Sequence, residues 1–198
     1  MRAELSFTES EALAALRAFL LGILADGIEV VQGQDNRVSE PQSPDFVVMW
    51  PLLRDRLATN VTRYSDGFPA ALSVKQVSQS TRLTVQLDVH GPASADNAQI
   101  ITMLFRDSYG VDALAASGIE IAPLYTSEAR QVPFRNAENE VERRWTIDLQ
   151  LQIKPVVTVA QEFADSLEIG TAGNPVTAET TVRQAWNGLI NVDRLAHK

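Results

Sequence analysis

The sequence contains no cysteine, which excludes disulfides and thiolate metal sites. That fits a reducing compartment. Histidine occurs only at His90 and His197, so imidazole chemistry has few places to stand. Lysine occurs only at Lys75, Lys154 and Lys198, and the arginines are scattered. With a formal net charge of −8, the chain is a poor general binder of nucleic acid. Neutralising phosphates takes clustered Lys and Arg. The acidity keeps a protein in solution, or makes a surface that DNA passes without sticking. No apolar run approaches the roughly 20 residues that cross a bilayer. No basic stretch followed by a cleavable apolar one opens the chain, so no signal peptide is expected. A Gly-x-Ser-x-Gly elbow, a phosphate-binding Walker loop, a Gly-x-Gly-x-x-Gly turn and a His-Glu-x-x-His helix are all missing. No internal repeat or low-complexity stretch is present.

What is present is an ordinary globular balance. The chain has 198 residues, 45% apolar and 21% charged, enough for one full core. Its clearest unit spans residues 81 to 110. Leu83, Val85, Leu87 and Val89 alternate with Thr84, Gln86, Asp88 and His90. That period of two predicts a strand with one buried and one wet face. Gly91-Pro92 stops it. Ser94 is placed to cap a helix, and Asp96 sits where the helix dipole favours an anion. Ile100, Ile101, Leu104 and Phe105 form its apolar stripe. The helix is expected to reach Tyr109, where Gly110 interrupts it. Val111 to Ala116 add a short helical turn.

Elsewhere the pattern is similar. Thr8-Glu9-Ser10-Glu11 is a capping box opening a helix over residues 8 to 25, with Leu13, Leu16, Leu20 and Leu24 at helical spacing. Gly27 ends it. Ile28 to Gln32 and Ile119 to Leu124 read as short strands. Asp45 to Pro51 read as a strand whose run Phe46-Val47-Val48-Met49-Trp50 is apolar on both sides, so it is buried on both faces or covered by a partner. Arg54 to Tyr64 form a further extended piece, and Asp66-Gly67-Phe68-Pro69 a turn. Leu72 to Ser78 and Thr81 to His90, joined by Gln79-Ser80, are expected to form a β-hairpin. Trp145, Ile147, Leu149, Leu151 and Ile153 alternate with Thr146, Asp148, Gln150 and Gln152. This strand is expected beside the 83–89 strand, leaving Gln86, Asp88, Asp148, Gln150 and Gln152 on an uncovered polar face. Ala160 to Glu168 suggest a short helix and Gly170 to Pro175 a break. Val182, Ala185, Trp186, Leu189 and Ile190 then share one helical face.

The fold class expected is α/β (α+β): a two-layer domain, its mostly antiparallel mixed sheet packed against an N-terminal and a central helix. The domain covers residues 1–157. Residues 158–198 form a C-terminal extension with short helices, a possible docking arm that folds back or reaches a neighbour.

Chemistry is thinly represented. Asp88 and His90 share a strand face and offer two metal ligands. A zinc site needs a third, for which Asp96 or Asp148 are candidates. A strand-end histidine satisfied by its neighbours is the simpler expectation, with His197 near the end of the chain. Asp35 and Glu40 lie in a polar loop and read as solvated. Val141-Glu142-Arg143-Arg144 reads as a charged strand edge that discourages stray pairing. No residue is assigned a catalytic, cofactor-binding or metal role.

Several stretches together resemble a known family. They are Val31-Gln32-Gly33-Gln34-Asp35-Asn36-Arg37-Val38, Pro44-Asp45-Phe46-Val47-Val48-Met49, Arg56-Leu57-Ala58-Thr59-Asn60, Gln86 through Ala98, Pro123-Leu124-Tyr125, and Gln131-Val132-Pro133-Phe134-Arg135-Asn136-Ala137-Glu138. Over residues 10 to 170 the chain is similar to the neck or tail terminator (tail-completion) proteins of tailed bacteriophages. Ser39 departs from the proline expected there. The resemblance implies a structural virion protein without catalysis or cofactor. It implies a homo-oligomeric ring, commonly a hexamer, that caps the tail tube and meets the head connector. DNA would pass the lumen without sequence-specific binding, and no membrane is involved. Manufacture in the host cytoplasm and residence in the virion neck follow. Other head–tail joining proteins, a tail tube protein, or a metal-dependent enzyme using Asp88 and His90 are the alternatives. The N-terminal helix, the Gln34–Ser43 loop and the C-terminal segment are the candidate subunit contacts.

Overall fold

Thr8 opens the first helix as its sequence predicts. The Glu11 N–H donates to the Thr8 hydroxyl at 3.3 Å, and the Thr8 N–H donates to the Glu11 carboxylate at 2.6 Å. Both free donors at the helix start are thereby satisfied. The structure is a computed structural model that describes residues 2–33, 41–69, 72–135, 141–163, 170–171 and 174–175. In chain order the elements are β1 (Glu4–Leu5), α1 (Glu9–Ile23), β2 (Glu29–Gln32), β3 (Phe46–Arg56), β4 (Val61–Ser65), β5 (Val74–Ser78), β6 (Thr81–His90), α2 (Ser94–Phe105) and α3 (Ser108–Ala115). There follow β7 (Ile121–Thr126), β8 (Arg130–Gln131), β9 (Phe134–Arg135), β10 (Val141–Glu142), β11 (Arg144–Ile153), β12 (Val156–Ala160), β13 (Gly170–Thr171) and β14 (Asn174–Pro175). The fold is α+β, with mostly antiparallel strands, as expected.

The chain divides into two units. The larger holds Phe7–Thr59 and Gln79–Pro155. Its sheet runs β2-β3-β6-β11-β7, with β8 continuing the β7 edge of β11. Only the β2–β3 pair is parallel. The two alternating strands lie side by side as predicted, with Leu87 opposite Ile147 and Val85 opposite Leu149. Their apolar residues face the helices. Leu13, Leu16 and Leu20 of α1, Ala98, Ile101 and Phe105 of α2, and Leu114 of α3 close the core over Val47, Leu83, Val85, Leu87, Ile147, Leu149 and Leu151. Each such burial contributes roughly 1.5–3 kcal/mol. Phe19 meets Phe105 edge-on at 6.0 Å.

The smaller unit holds Met1–Ser6, Asn60–Ser78 and Val156–Lys198. Its described part is an antiparallel sheet in the order β1-β12-β5-β4. β12 runs through position 157, where the sequence suggested a boundary, and pairs with β5 over its whole length.

Several expectations need correction. β5 and β6 do not form a hairpin, because they lie in different sheets. The Gln79-Ser80 link lacks the Gly or Asn that two-residue hairpin turns require. β3 does not stop at Pro51 but continues to Arg56, with a bulge between Pro51 and Leu53 that absorbs the missing donor. The central helix ends at Phe105, not Tyr109. Asp107 caps α3 by accepting the Tyr109 N–H at 2.9 Å, so Gly110 lies inside α3. Lastly, Ser94 does not cap α2. The N-cap residue is Ala93, which offers no side-chain cap, and its own N–H donates to Asp45 Oδ1 at 2.8 Å. Ile100 lies outside the stripe, while Ile101 and Phe105 are fully buried. Residue 160, where a helix was expected to begin, ends β12. The rest of that expected helix, the 182–190 stripe, His197, Asp35, Glu40 and most of the Gln34–Ser43 loop lie outside the described residues.

Candidate functional site

The face of the large sheet opposite the helices carries the candidate residues. Strand register sets them in lanes. Phe46, Val48 and Trp50 of β3 stand opposite His90, Asp88 and Gln86 of β6. These in turn stand opposite Arg144, Thr146 and Asp148 of β11. This face is less wet than the alternation predicted, since Asp88, His90 and Thr146 are all buried. The two lanes on either side of Asp88 shield it.

Asp88 is held by three donors. Arg144 Nη2 lies 2.8 Å from Oδ2, and Thr146 Oγ1 and Gln86 Nε2 donate to Oδ1 at 2.9 and 3.1 Å. A buried carboxylate is tolerated when it is paired and hydrogen-bonded in this way. Arg144 is therefore not a solvated edge charge, as its Glu-Arg-Arg context suggested. Its strand position points it at Asp88. Asp148 sits one pair further along and meets Arg130 at 3.2 Å. Asp96 is exposed on α2. Among the described residues no set of three acidic or histidine side chains is grouped as a metal site needs. Asp88 faces cations and donors rather than an open coordination position.

His90 stacks on Phe46 with ring centroids 4.5 Å apart and planes inclined by 7°. Glu142 lies 4.0 Å from its Nδ1. Burial is the main cause that holds the imidazole pKa below its ordinary value; Arg144 adds to this, while Asp88 and Glu142 oppose it. His90 is thus a largely neutral packing residue near neutrality.

Below His90 the chain turns a tight corner. Gly91 has φ of +102°, and a Cβ there would lie 2.8 Å from Asp45 Cα. Only glycine fits both demands. Gly91 N–H donates to the Arg143 carbonyl at 3.1 Å, and Asp45 takes the Ala93 N–H. Stretches 44–49 and 86–98, read as separate signals, form one substructure here. Arg144, Thr146 and Asp45 were missed as partners because their contacts cross 48 to 58 residues of chain.

A second concave feature lies between α1 and β2, an open groove of about 330 Å³ lined by Leu13, Ala14, Val30, Val31 and Met49. Arg17 reaches along it and donates from Nε to the Val30 carbonyl at 2.8 Å, capping the sheet edge.

A family model described as phage neck terminator protein matches residues 10–175. The chain belongs to the phage neck terminator protein family. No curated protein matches it at a significant level. As a neck terminator protein the chain is a structural component of the phage neck. In the polar lane the Asp88 carboxylate is held by Arg144 and Thr146, and the His90 ring stacks on Phe46. The large unit of this terminator also leaves apolar side chains in solvent. Leu52 and Leu53 at the β3 bulge, and Leu57 beyond it, are exposed. So are Ile100 and Met103 on α2 and Tyr109 and Val111 on α3. No helix among the described residues is long and apolar enough to cross a membrane.

Proposed function

We propose that the chain closes into a homo-oligomeric ring, a hexamer, that caps the phage tail tube and presents a surface to the head connector. Membership of the neck terminator family over residues 10–175 is the observation that carries this reading. A ring subunit needs two different patches that complement each other, because a head-to-tail contact repeated by one rotation closes into a ring. The exposed Leu52, Leu53 and Leu57 offer one such patch, and Ile100, Met103, Tyr109 and Val111 another. The protein does no catalysis and takes no cofactor. It is made in the host cytoplasm and resides in the virion neck. DNA passes the lumen without sequence-specific contact, and the net charge of −8 supports an acidic wall that does not hold it. A lumen lined with Lys and Arg would contradict this last point.

Native mass measurement of the purified protein, alone and mixed with tail tubes of the same phage, tests the reading. A closed ring, alone or on tube ends, supports it. Open-ended stacks indicate a tube protein instead. A monomer that ignores tubes removes the terminator role.

A further inference from the structure

Strand pairing sets one end of the large sheet apart. β2 accompanies β3 only from Phe46 to Met49, while β6 follows it to Arg56. Among the described residues no strand lies on the outer side of β3 beyond Trp50, so this stretch is a sheet edge. Pro51 lacks an N–H and a bulge follows it, two features that discourage another strand from adding there. A contact on this edge is therefore made by side chains. Leu52 and Leu53 are each 55% exposed, and Leu57 follows them. Arg54 is tied to Glu9, and Asp55 to Arg82 at 2.6 Å, so these four charges cancel in pairs. Arg56 is exposed, and among the described residues its guanidinium has no ion-pair partner. The apolar edge thus carries one uncompensated positive charge.

A second patch lies at the far end of the same sheet, where α3 packs on β7. Asp96, Ile100 and Met103 recur at i, i+4 and i+7 and are exposed on one stripe of α2. Tyr109 and Asp112 share an exposed face of α3 at i and i+3, beside Val111. Arg106, between the helices, leans over the Tyr125 ring, 5.5 Å from its centroid. The Asp107 carboxylate is occupied by the Tyr109 N–H. Asp96 sits in the first turn of α2, away from α3. The Asp112 carboxylate has no partner among the described residues and stands next to the exposed apolar groups. This patch is apolar with an acidic rim.

The sign of the charge decides which surfaces can meet. A two-fold contact lays a patch on its own copy, setting Arg56 near Arg56 or acid near acid, and like charges brought together oppose binding. The β3 edge laid on the α2–α3 face sets Arg56 among carboxylates instead. Patches at opposite ends of one sheet also leave each copy with one surface open for the next. We infer that the β3 edge of one copy docks on the α2–α3 face of a second copy, and that Arg56 facing Asp112 selects this head-to-tail contact over two-fold pairing. The inference rests on the ring reading and names the surfaces and the charge pair that close the ring.

Charge exchange tests it, read by native mass measurement of the full chain, with tail tubes of the same phage added where rings need them. Arg56→Glu and Asp112→Arg are each expected to lower the ring fraction about tenfold, because every contact in the ring carries the change. Both changes in one chain are expected to restore rings. Mixing the two single variants is expected to restore them too, since copies that alternate around the ring set opposite charges together at every contact. Both positions are exposed, so denaturant unfolding of each variant is expected to match that of the unaltered chain. Single variants that form rings as well as the unaltered chain, or losses that neither combination rescues, overturn the pairing and leave the ring reading standing. An unaltered chain that forms no ring, alone or on tubes, overturns the ring reading and the pairing together.

Discussion

Asp88 is the residue on which the polar lane turns. Replacing it with Ala removes the Asp88 ion pair of Arg144, whose side chain is only 23% exposed, and takes the Asp88 acceptor from the Thr146 hydroxyl. Breaking a buried pair from one side costs about 3–5 kcal/mol. Partial exposure of Arg144 places the expected loss at the lower end, about 3 kcal/mol. Urea unfolding of Asp88→Ala, Arg144→Ala and the double variant measures it. A coupling above about 0.5 kcal/mol marks a shared interaction, and simple additivity would show that the pair does not act as a unit. His90 makes a second prediction. Its folded pKa lies below 6.5 because burial penalises the cation. The unfolded chain therefore binds the proton more readily, and stability falls as pH drops below about 6.5. Glu11, also depressed in the folded state by the Thr8 N–H, loses its contribution only as pH falls from 4.5 downward. The interval between those values reports on His90. His90→Gln is expected to flatten the stability profile there, and an unchanged slope would assign it to another group.

At the scale of elements, local preference and tertiary fit oppose each other at Gly110. Alanine is the better helix former by about 1 kcal/mol, and Gly110 lies inside α3. A Cβ there, however, would lie 2.6 and 2.7 Å from the Leu104 and Phe105 carbonyl oxygens, where the end of α2 crosses close by. Gly110→Ala is thus expected to destabilise, with a lowered melting temperature as the readout. A gain in stability would mean that the two helices part easily. Thr8 behaves in the opposite way, since its cap is local and exposed. Thr8→Ala is expected to cost about 1 kcal/mol in denaturant unfolding and to leave tertiary spectra unchanged.

For the whole molecule, assembly is the property that matters. Leu53 is 55% exposed, so Leu53→Asp is expected to change monomer stability by less than about 0.5 kcal/mol. The same change places a charge in the apolar patch assigned to the ring contact. Loss of rings by native mass measurement, with unfolding unaltered, is the outcome expected. Intact rings would move the contact elsewhere on the subunit.

What the sequence alone determined was the set of features encoded within a few residues of one another. The Thr8 capping box, the leucine stripe of α1 and the alternation in β6 and β11 each recur at a short period that backbone geometry dictates. The family was legible too, from segment order, although no single segment explained its own role. Tertiary structure alone decided what lies opposite what. Gln79-Ser80 sends two neighbouring strands into different sheets because their partners, β12 and β4 for one and β3 and β11 for the other, come from distant chain. The lane reads as wet in sequence but is buried, because Arg144 and Thr146 approach Asp88 across 56 and 58 residues. Ser94 looks like a cap, yet Ala93 takes the N-cap position and is fixed there by Asp45, 48 residues away. A hydrogen bond depends on distance in space, and pairing energies between separated segments leave no period in the chain from which they can be read.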